Sequence, residues 1–353
     1  MNKKINFLAI LFLATVFSAN ATVWTVSNNP NSPGQYTDIQ SAVDAASAGD
    51  TIYVSGSETN YGNFTIDNKE LHIIGAGYKP NNLTGYATHF YSVYFKTSGN
   101  IFSSSGTTIT GCYIDSRIDI SGTSDQTIEN ITISRCFFGS YLIVNSYSTN
   151  ILIYNNIIGW FQSANQNVGN LEIYNNIIIG YQVIQHQTNV ITKNNLFIKS
   201  SGSIEPNGVN TIFENNIFYG YSPYQSSFSN CTFNNNISYN TVDDNFNTSG
   251  SNSGSGNIVG QDPQFKVDNN FTFDYEDDYN LEPTSPGKAA GTDGADIGLY
   301  GGTYPWPEGG ISESGFMYSQ ESTIPQVYEM TIQNASIGLN GTINVQVKAH
   351  KQD

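Results

Sequence analysis

The fold is decided by a short stretch that recurs along the middle of the chain: ILIYNNII at residues 151–158, LEIYNNII at 171–178, VITKNNLF at 190–197, TIFENNIF at 211–218 and CTFNNNIS at 231–238. A related copy has Arg135 and Cys136 in place of the Asn pair, and a weaker one contains Cys112. From Cys136 onward, the second residues of the pairs are 20, 20, 19, 21 and 20 residues apart. A constant period near this length indicates a repeat protein in which each copy is one structural unit.

Each copy predicts a strand, an Asn turn, a second strand and a loop. Apolar residues alternate before the pair, as in Ile151 and Ile153, which places one set of side chains on a buried face. Asn tolerates the left-handed conformation that a tight turn needs, and Asn side chains stacked about 4.8 Å apart can hydrogen-bond in a ladder. A leucine-rich repeat would need a helical half, which these copies lack. We therefore expect an all-β solenoid of parallel strands, with about ten coils between Thr51 and Tyr300.

Both open ends of such a solenoid need to be covered. Residues 37–40 have the form of a capping box, Ile39, Val43 and Ala46 fall on one helical face, and Gly49 is placed to end the helix. These features predict a short N-terminal capping helix that closes the first coil.

The C-terminal part of the chain changes character. Residues 249–256 read as a Gly/Ser-rich surface loop, and residues 327–332 and 342–347 read as two strands joined across a turn. We expect these two strands to form a small C-terminal β cap on the last coils. The predicted organisation is a signal peptide (1–21), an N-terminal cap with a short helix (22–50), the parallel β-helix (51–304) and the C-terminal cap or tail (305–353).

The first residues have the pattern of a secretory signal. Lys3 and Lys4 precede an apolar run over residues 5–17, and Ala19-Asn20-Ala21 has the small-x-small form of a cleavage site. No later stretch reaches the roughly 18 apolar residues that a membrane helix needs. The sequence predicts a protein that is secreted or associated with the cell surface.

Composition and charge narrow the possible partners. Only 12% of residues are charged, against about 25% in ordinary proteins, and the formal net charge is −16. This charge disfavours nucleic acids as partners and favours cations. Three cysteines do not make a disulfide scaffold. Cys112 and Cys136 share a repeat position, so either a bridge or a pair of stacked thiols is possible, and we favour stacked thiols.

Several motifs resemble the right-handed parallel β-helix proteins of the pectin-lyase-like superfamily, in the secreted form common in Bacteroidetes. They are YTDIQSAV at residues 36–43, AGDTIYV at 48–54, the Asn-Asn coils, DPQF at 262–265, DYNL at 278–281, SPG at 285–287 and GADIGLYGG at 294–302. The resemblance implies a right-handed parallel β-helix over roughly residues 36–302. It implies little about function, because the fold hosts lyases, hydrolases, epimerases, adhesins and phage spikes.

The catalytic residues that the resemblance suggests are incomplete. Polygalacturonase-like hydrolases resemble one another in an Asp-Asp pair, a Gly-His-Gly and an Arg-x-Lys. This chain has Asp243-Asp244 but neither of the other two motifs. Lyase-like elimination needs a cation and a base. The weak candidates are Asp115, Arg117 and Asp119, which share parity on one strand, with Arg135 nearby; a simple surface ion pair is the alternative that we favour.

Two further clusters are candidates for binding. The acidic run Asp274, Glu276, Asp277 and Asp278 offers oxygen ligands to calcium, although a solvated acidic loop is the simpler interpretation. Counting five residues beyond the second residue of each turn pair gives a column that is mostly aromatic. It consists of Arg117, Tyr141, Phe161, Tyr181, Ser200 and Tyr221, with Trp160 adjacent. If the rings face solvent they form a surface on which sugars stack, and if they face inward they are core; sequence parity does not decide between the two.

Two functions remain open from the sequence. The first, which we favour, is a non-catalytic secreted β-helix protein that binds a polysaccharide or a cell-surface glycan. The second is a polysaccharide lyase or glycoside hydrolase that acts on a polysaccharide, acidic or neutral. No cofactor is predicted with certainty, and calcium is the one candidate.

Overall fold

A computed structural model describes residues 21–78, 86–96, 104–163, 167–184, 188–199, 209–223, 228–268, 270–306, 326–332 and 345–350. Almost all of its regular structure is β, and its long sheets are parallel and stacked coil upon coil. The predicted right-handed parallel β-helix is confirmed. The predicted signal peptide lies almost wholly outside the described residues.

The described part of the chain contains one α-helix, α1, at Ile39–Ala45. Its strands in the N-terminal half are β1 Val23–Val26, β2 Asp50–Val54, β3 Asn63–Asp67, β4 Leu71–Gly75, β5 His89–Lys96, β6 Thr108–Thr110, β7 Tyr113–Ile120, β8 Ile128–Ser134, β9 Phe137–Val144, β10 Ser148–Tyr154, β11 Ile157–Ser163, β12 Val168–Tyr174 and β13 Ile177–Ile178. The remaining strands are β14 Gln182–Ile184, β15 Thr188–Lys193, β16 Leu196–Ile198, β17 Thr211–Glu214, β18 Ile217–Tyr219, β19 Thr232–Asn234, β20 Ile237–Tyr239, β21 Ser253–Ser255, β22 Ile258–Val259, β23 Phe265–Val267, β24 Asp278–Leu281, β25 Gln326–Ile332 and β26 Val345–His350.

Two long sheets run the length of the solenoid. The first sheet has the order β1-β2-β4-β6-β8-β10-β12-β15-β17-β19-β21. The second has the order β3-β5-β7-β9-β11-β13-β16-β18-β20-β22, with β14 paired to β11. Among the described residues, each coil contributes one strand to each sheet. There are ten such coils, from the pair β2 and β3 to the pair β21 and β22. Equivalent apolar residues pair in register, as Ile131, Ile151 and Leu171 do. The inner faces pack in a long N-terminal cluster and a second, mainly aromatic cluster around Phe213 and Phe218.

The Asn turns join the two sheets as the sequence predicted. The first Asn of each pair has a positive φ between 51° and 57°, which Asn adopts more readily than most residues. The second Asn is buried, and its backbone N–H and its Nδ2 both donate to Oδ1 of the next Asn at 2.9–3.1 Å. This buried ladder comprises Asn156, Asn176, Asn195, Asn216, Asn236 and Asn257. It satisfies amides that would otherwise be buried without partners.

The N-terminal cap differs in detail from the prediction. The helix is capped by Asp38, whose carboxylate accepts from Ser41 N at 2.8 Å, rather than by a Thr37–Gln40 box. It ends at Ala45, before Gly49. Asp is as favourable as Thr at the N-cap position. In this helix it is Asp38, and not Thr37, whose side chain reaches a free backbone N–H.

Asp50 ties this cap to the first coil. Its carboxylate accepts from Thr22 N at 2.7 Å, from Trp24 Nε1 at 2.9 Å and from Ser47 N at 2.8 Å. Burial alone would raise the pKa of Asp50, but these three hydrogen bonds outweigh burial and lower it. The stabilisation that Asp50 provides is therefore present at neutral pH, and it is lost as the pH falls below 3.8 through the lower folded pKa.

The last parallel coil is followed by a segment that lies over the coils, and the expected domain boundary at residue 304 stays a prediction. In the described residues, parallel pairing stops at Ile258 and Val259, and residues 262–306, here called the closing segment, lie over the corner between the two sheets. There the first Asn side chains of four coils donate to it: Asn175 to Leu299 O and Gly301 O, Asn194 to Gly298 O, Asn215 to Thr292 Oγ1 and Asn235 to Ala290 O. The chain therefore returns along the solenoid after the last coil instead of adding further coils.

The two C-terminal strands form an antiparallel pair. β25 matches the predicted strand closely, and β26 begins three residues later than the predicted start at residue 342. The predicted turn between them lies outside the described residues. Packing of this pair on the last coils stays a prediction.

Candidate functional site

The outer face of the second sheet is covered near the Asn turns and open farther along its strands. Ile157, Ile177 and Leu196, which directly follow the Asn pairs, are buried in one cluster with Leu299 and Trp306 of the closing segment. Beyond them, the same strands carry side chains that reach solvent. This open region is flat and rigid, because every strand in it is hydrogen-bonded in the sheet.

Three aromatic side chains form a row across three neighbouring coils of this open region. Tyr141, Trp160 and Tyr181, here called the aromatic strip, have ring centroids 5.2 Å and 4.7 Å apart. Trp160 is 40% exposed, and the two tyrosines are half-buried. Neighbouring rings are tilted by 58° and 62°, so the three rings do not stack face to face on one another.

The predicted aromatic column splits between surface and core. Phe161 and Tyr221, each 1% exposed, point inward. The cause is a register shift between β9 and β11, which places Trp160 rather than Phe161 opposite Tyr141. The column therefore has both outward-facing and buried members.

A cation lies at each end of the strip. Arg117 is exposed on β7, where its backbone pairs with that of Tyr141. At the other end, Lys199 Nζ lies 3.4 Å from the centroid of the Tyr181 ring, within the range of a cation–π interaction. The strip is thus flanked by one cation on each side, with the carboxylates of Asp115 and Asp119 on the same strand as Arg117.

His89 on β5 and Asp115 on β7 form a polar group near Arg117. His89 Nε2 lies 2.7 Å from Asp115 Oδ1, and Asp115 Oδ2 accepts from Asn60 Nδ2 at 2.6 Å. The imidazole also packs edge-on against Tyr113, with centroids 4.6 Å apart. Among the described residues Nδ1 of His89 has no hydrogen-bond partner, so the ring is held on one side and open on the other. Burial, and secondarily the charge of Asp115, raise the pKa of Tyr113.

The other catalytic candidates are not brought to this group. Asp119 accepts hydrogen bonds from Ser121 and Asn145. Arg135 has a φ of 51° and occupies the turn before β9, whereas Arg117 pairs with the middle of that strand. The expected Arg117–Arg135 pair is therefore not formed, because the register separates the two residues along the strands.

The acidic run is used in local hydrogen bonds. Asp274 accepts from Glu276 N, Asp277 accepts from Asp274 N and Tyr279 Oη, and Asp278 accepts from both nitrogens of Asn280. Burial raises the pKa of Asp277, although the Tyr279 hydrogen bond lowers it in part. Within the described ranges, no group of three or more His, Cys, Asp or Glu side chains is arranged to hold a metal ion.

The two stacked cysteines are free thiols. Cys112 and Cys136 are fully buried, and neither forms a disulfide. Burial, followed by the interaction with Cys136, raises the pKa of Cys112 well above its usual value. Such thiols are unreactive and serve as small core residues.

Comparisons with known proteins add little to this geometry. No family model matches the chain, and no curated protein matches it. Among solved structures, pectin methylesterase from Aspergillus niger matches at 14% identity, with 69% of this chain and 92% of that chain covered and a TM-score of 0.28. A TM-score this low carries no argument about fold or function. The helix in the described residues is too short to cross a membrane.

Proposed function

We propose that the protein is exported and binds an extended polysaccharide on the open outer face of its second sheet. The observation that carries the proposal is the aromatic strip, in which three partly exposed rings repeat once per coil on a rigid surface. Export is supported by the signal-like pattern of the first residues.

The strip suits a sugar polymer for physical reasons. The C–H faces of sugar rings stack on aromatic side chains, and a row of aromatic rings can hold successive sugars of one chain. The strands fix the rings before binding, so little ordering entropy is lost on association. Arg117 and Lys199 can pair with carboxylate groups of an acidic glycan at either end of the strip.

Binding by the strip is tested with the chain from Thr22 onward and a panel of acidic and neutral polysaccharides. Trp160→Ala is expected to lower the affinity for the bound polysaccharide by about 30-fold, the effect of losing one central aromatic contact of about 2 kcal/mol. Tyr86→Ala removes an aromatic ring that is similarly exposed but lies outside the strip, and it should leave the affinity unchanged. The proposal fails if no polysaccharide binds, or if both variants bind like the wild type.

A second candidate function is cleavage of the bound chain, and the His89–Asp115 contact favours it. A histidine that is oriented by a carboxylate and has one free nitrogen is arranged to take or give a proton. Arg117, two residues beyond Asp115, can stabilise negative charge that develops on the substrate. These residues would form a proton-transfer site of a polysaccharide lyase or hydrolase at one end of the strip.

Cleavage is tested by measuring chain shortening in the same samples that report binding. His89→Gln is expected to reduce the cleavage rate at least about 100-fold while binding by the strip persists. Arg135→Asn removes a cation away from the group and keeps a residue that tolerates the positive φ, so this variant should cleave at the wild-type rate. Absence of shortening, or equal rates in wild type and His89→Gln, would exclude this function and leave binding intact.

A further inference from the structure

The outer face of the first sheet carries a second groove, separated from the aromatic strip by the closing segment. Strands β10, β12 and β15 lie side by side there, and Leu152, Glu172 and Ile191 are aligned across them. A cavity of 290 Å³ opens above these three residues. No residue of this groove belongs to the site described above.

One side of the groove is a column of exposed amides. Asn150, Asn170 and Asn189 have φ values of 54°, 47° and 58°, and all three side chains are exposed. Asn170 Nδ2 donates to Asn150 Oδ1 at 2.9 Å, and Asn189 Nδ2 donates to Asn170 Oδ1 at 3.2 Å. Each amide carries two donors and two acceptor positions, so this ladder leaves hydrogen-bonding capacity directed to solvent once per coil, about every 4.8 Å.

The floor of the groove combines apolar and acidic groups. Leu152 and Ile191 are half-buried and present aliphatic surface. Glu172 lies between them, and within the described residues its carboxylate accepts no hydrogen bond and forms no ion pair. It is close enough to Tyr174 to contribute, after burial, to the raised pKa of that tyrosine. A half-buried carboxylate of this kind is a strong acceptor for hydroxyl groups and repels other anions.

Aromatic rings lie beyond the lining of the cavity, on the side away from the amide column. Tyr304, from the closing segment, stacks on Tyr154 with centroids 4.4 Å apart and on Tyr174 with centroids 5.7 Å apart. Tyr154 and Tyr174 stand two residues beyond Leu152 and Glu172 on the same strands. The groove thus has an amide side and a floor with one charge, and aromatic rings stand next to it.

We propose that this groove binds a second extended glycan chain, one that is uncharged. Amides at the coil spacing and an unpaired carboxylate match the hydroxyl groups of a sugar polymer, while Leu152 and Ile191 match the C–H faces of its rings. Glu172 excludes uronic acids from this groove. With the aromatic strip occupied as well, one molecule would join two polysaccharide chains.

The test uses a protein in which the strip has been removed by Tyr141→Ala, Trp160→Ala and Tyr181→Ala together. Its binding to neutral gluco-, manno-, xylo- and galacto-hexasaccharides is measured by calorimetry. We expect at least one of the four to bind, and we expect Asn170→Gly and Glu172→Gln each to weaken that binding about tenfold, the loss of one good hydrogen bond. Glycine keeps the positive φ of residue 170, so the backbone is preserved.

Asn230→Gly is the matched control, because Asn230 has the same backbone conformation and is exposed on a coil outside the groove. It should bind like its parent. The proposal is overturned if the strip-deleted protein binds none of the four hexasaccharides, or if Asn170→Gly and Glu172→Gln bind as tightly as Asn230→Gly. The proposal that the aromatic strip binds a polysaccharide is tested separately, by measuring the affinity of Trp160→Ala in a protein whose groove is intact.

Discussion

Replacing Asn195 by Ala is expected to lower the free energy of unfolding by at least about 4 kcal/mol. The side chain donates to Ile173 O, Lys193 O and Asn216 Oδ1 at 2.8–3.0 Å, and its own Oδ1 accepts from Asn176 N and Nδ2. Four of the five contacts are buried at the Asn turns, and the fifth, to Lys193 O, is partly buried. Ala removes them together and leaves polar groups on two neighbouring coils without partners.

The loss is measured by urea unfolding of the wild type and the variant. Asn189→Gly is the control, since it deletes an exposed ladder amide with one hydrogen bond to Asn170 and keeps the positive φ. It should cost no more than about 1 kcal/mol. Comparable losses in the two variants would show that the buried ladder adds nothing beyond an ordinary surface hydrogen bond.

Trp306→Ala is expected to release the closing segment while the coils stay folded. Trp306 is 3% exposed, packs in the cluster that covers the second sheet, and donates through Nε1 to Asn175 O. Truncating a buried Trp costs about 3–5 kcal/mol. We expect this loss to appear as faster amide hydrogen exchange in residues 278–301 and not in the central coils.

Trp160→Ala serves as the control for this measurement, because Trp160 is largely at the surface. Its exchange pattern should match the wild type. If the central coils of Trp306→Ala exchange as fast as its closing segment, the two parts form a single cooperative unit, and local release is ruled out.

The repeat could be predicted from the sequence because its cause is local. The apolar alternation before each Asn pair sets which side chains are buried, and the constant spacing sets the register, so the ladder at Asn156 and Asn176 follows directly. The path of the closing segment could not be predicted, since its partners lie far away in the sequence, from 55 residues for Asn235 and Ala290 to 124 residues for Asn175 and Leu299.

The candidate site was predicted only in part. Counting five residues beyond each pair assumes coils of equal shape, and the register shift at β9 and β11 exchanges Trp160 for Phe161 in the outer row. His89 was not singled out because its coil lacks the Asn pair. The sequence did contain a signal. Thr88 occupies the repeat position that Cys112 and Cys136 hold in the next coils. Aligning the coils on this position places His89 opposite Tyr113 and brings Asp115 within its reach.

The closing segment also constrains the number of coils in the solenoid. Its backbone and Thr292 contact the first Asn of four consecutive coils, from Asn175 to Asn235, one after another along a chain of fixed length. Inserting or deleting one whole coil would preserve every pairing within the sheets, yet it would leave the segment one coil out of step. Evolution of this protein towards longer or shorter forms therefore requires matched changes in two distant parts of its gene.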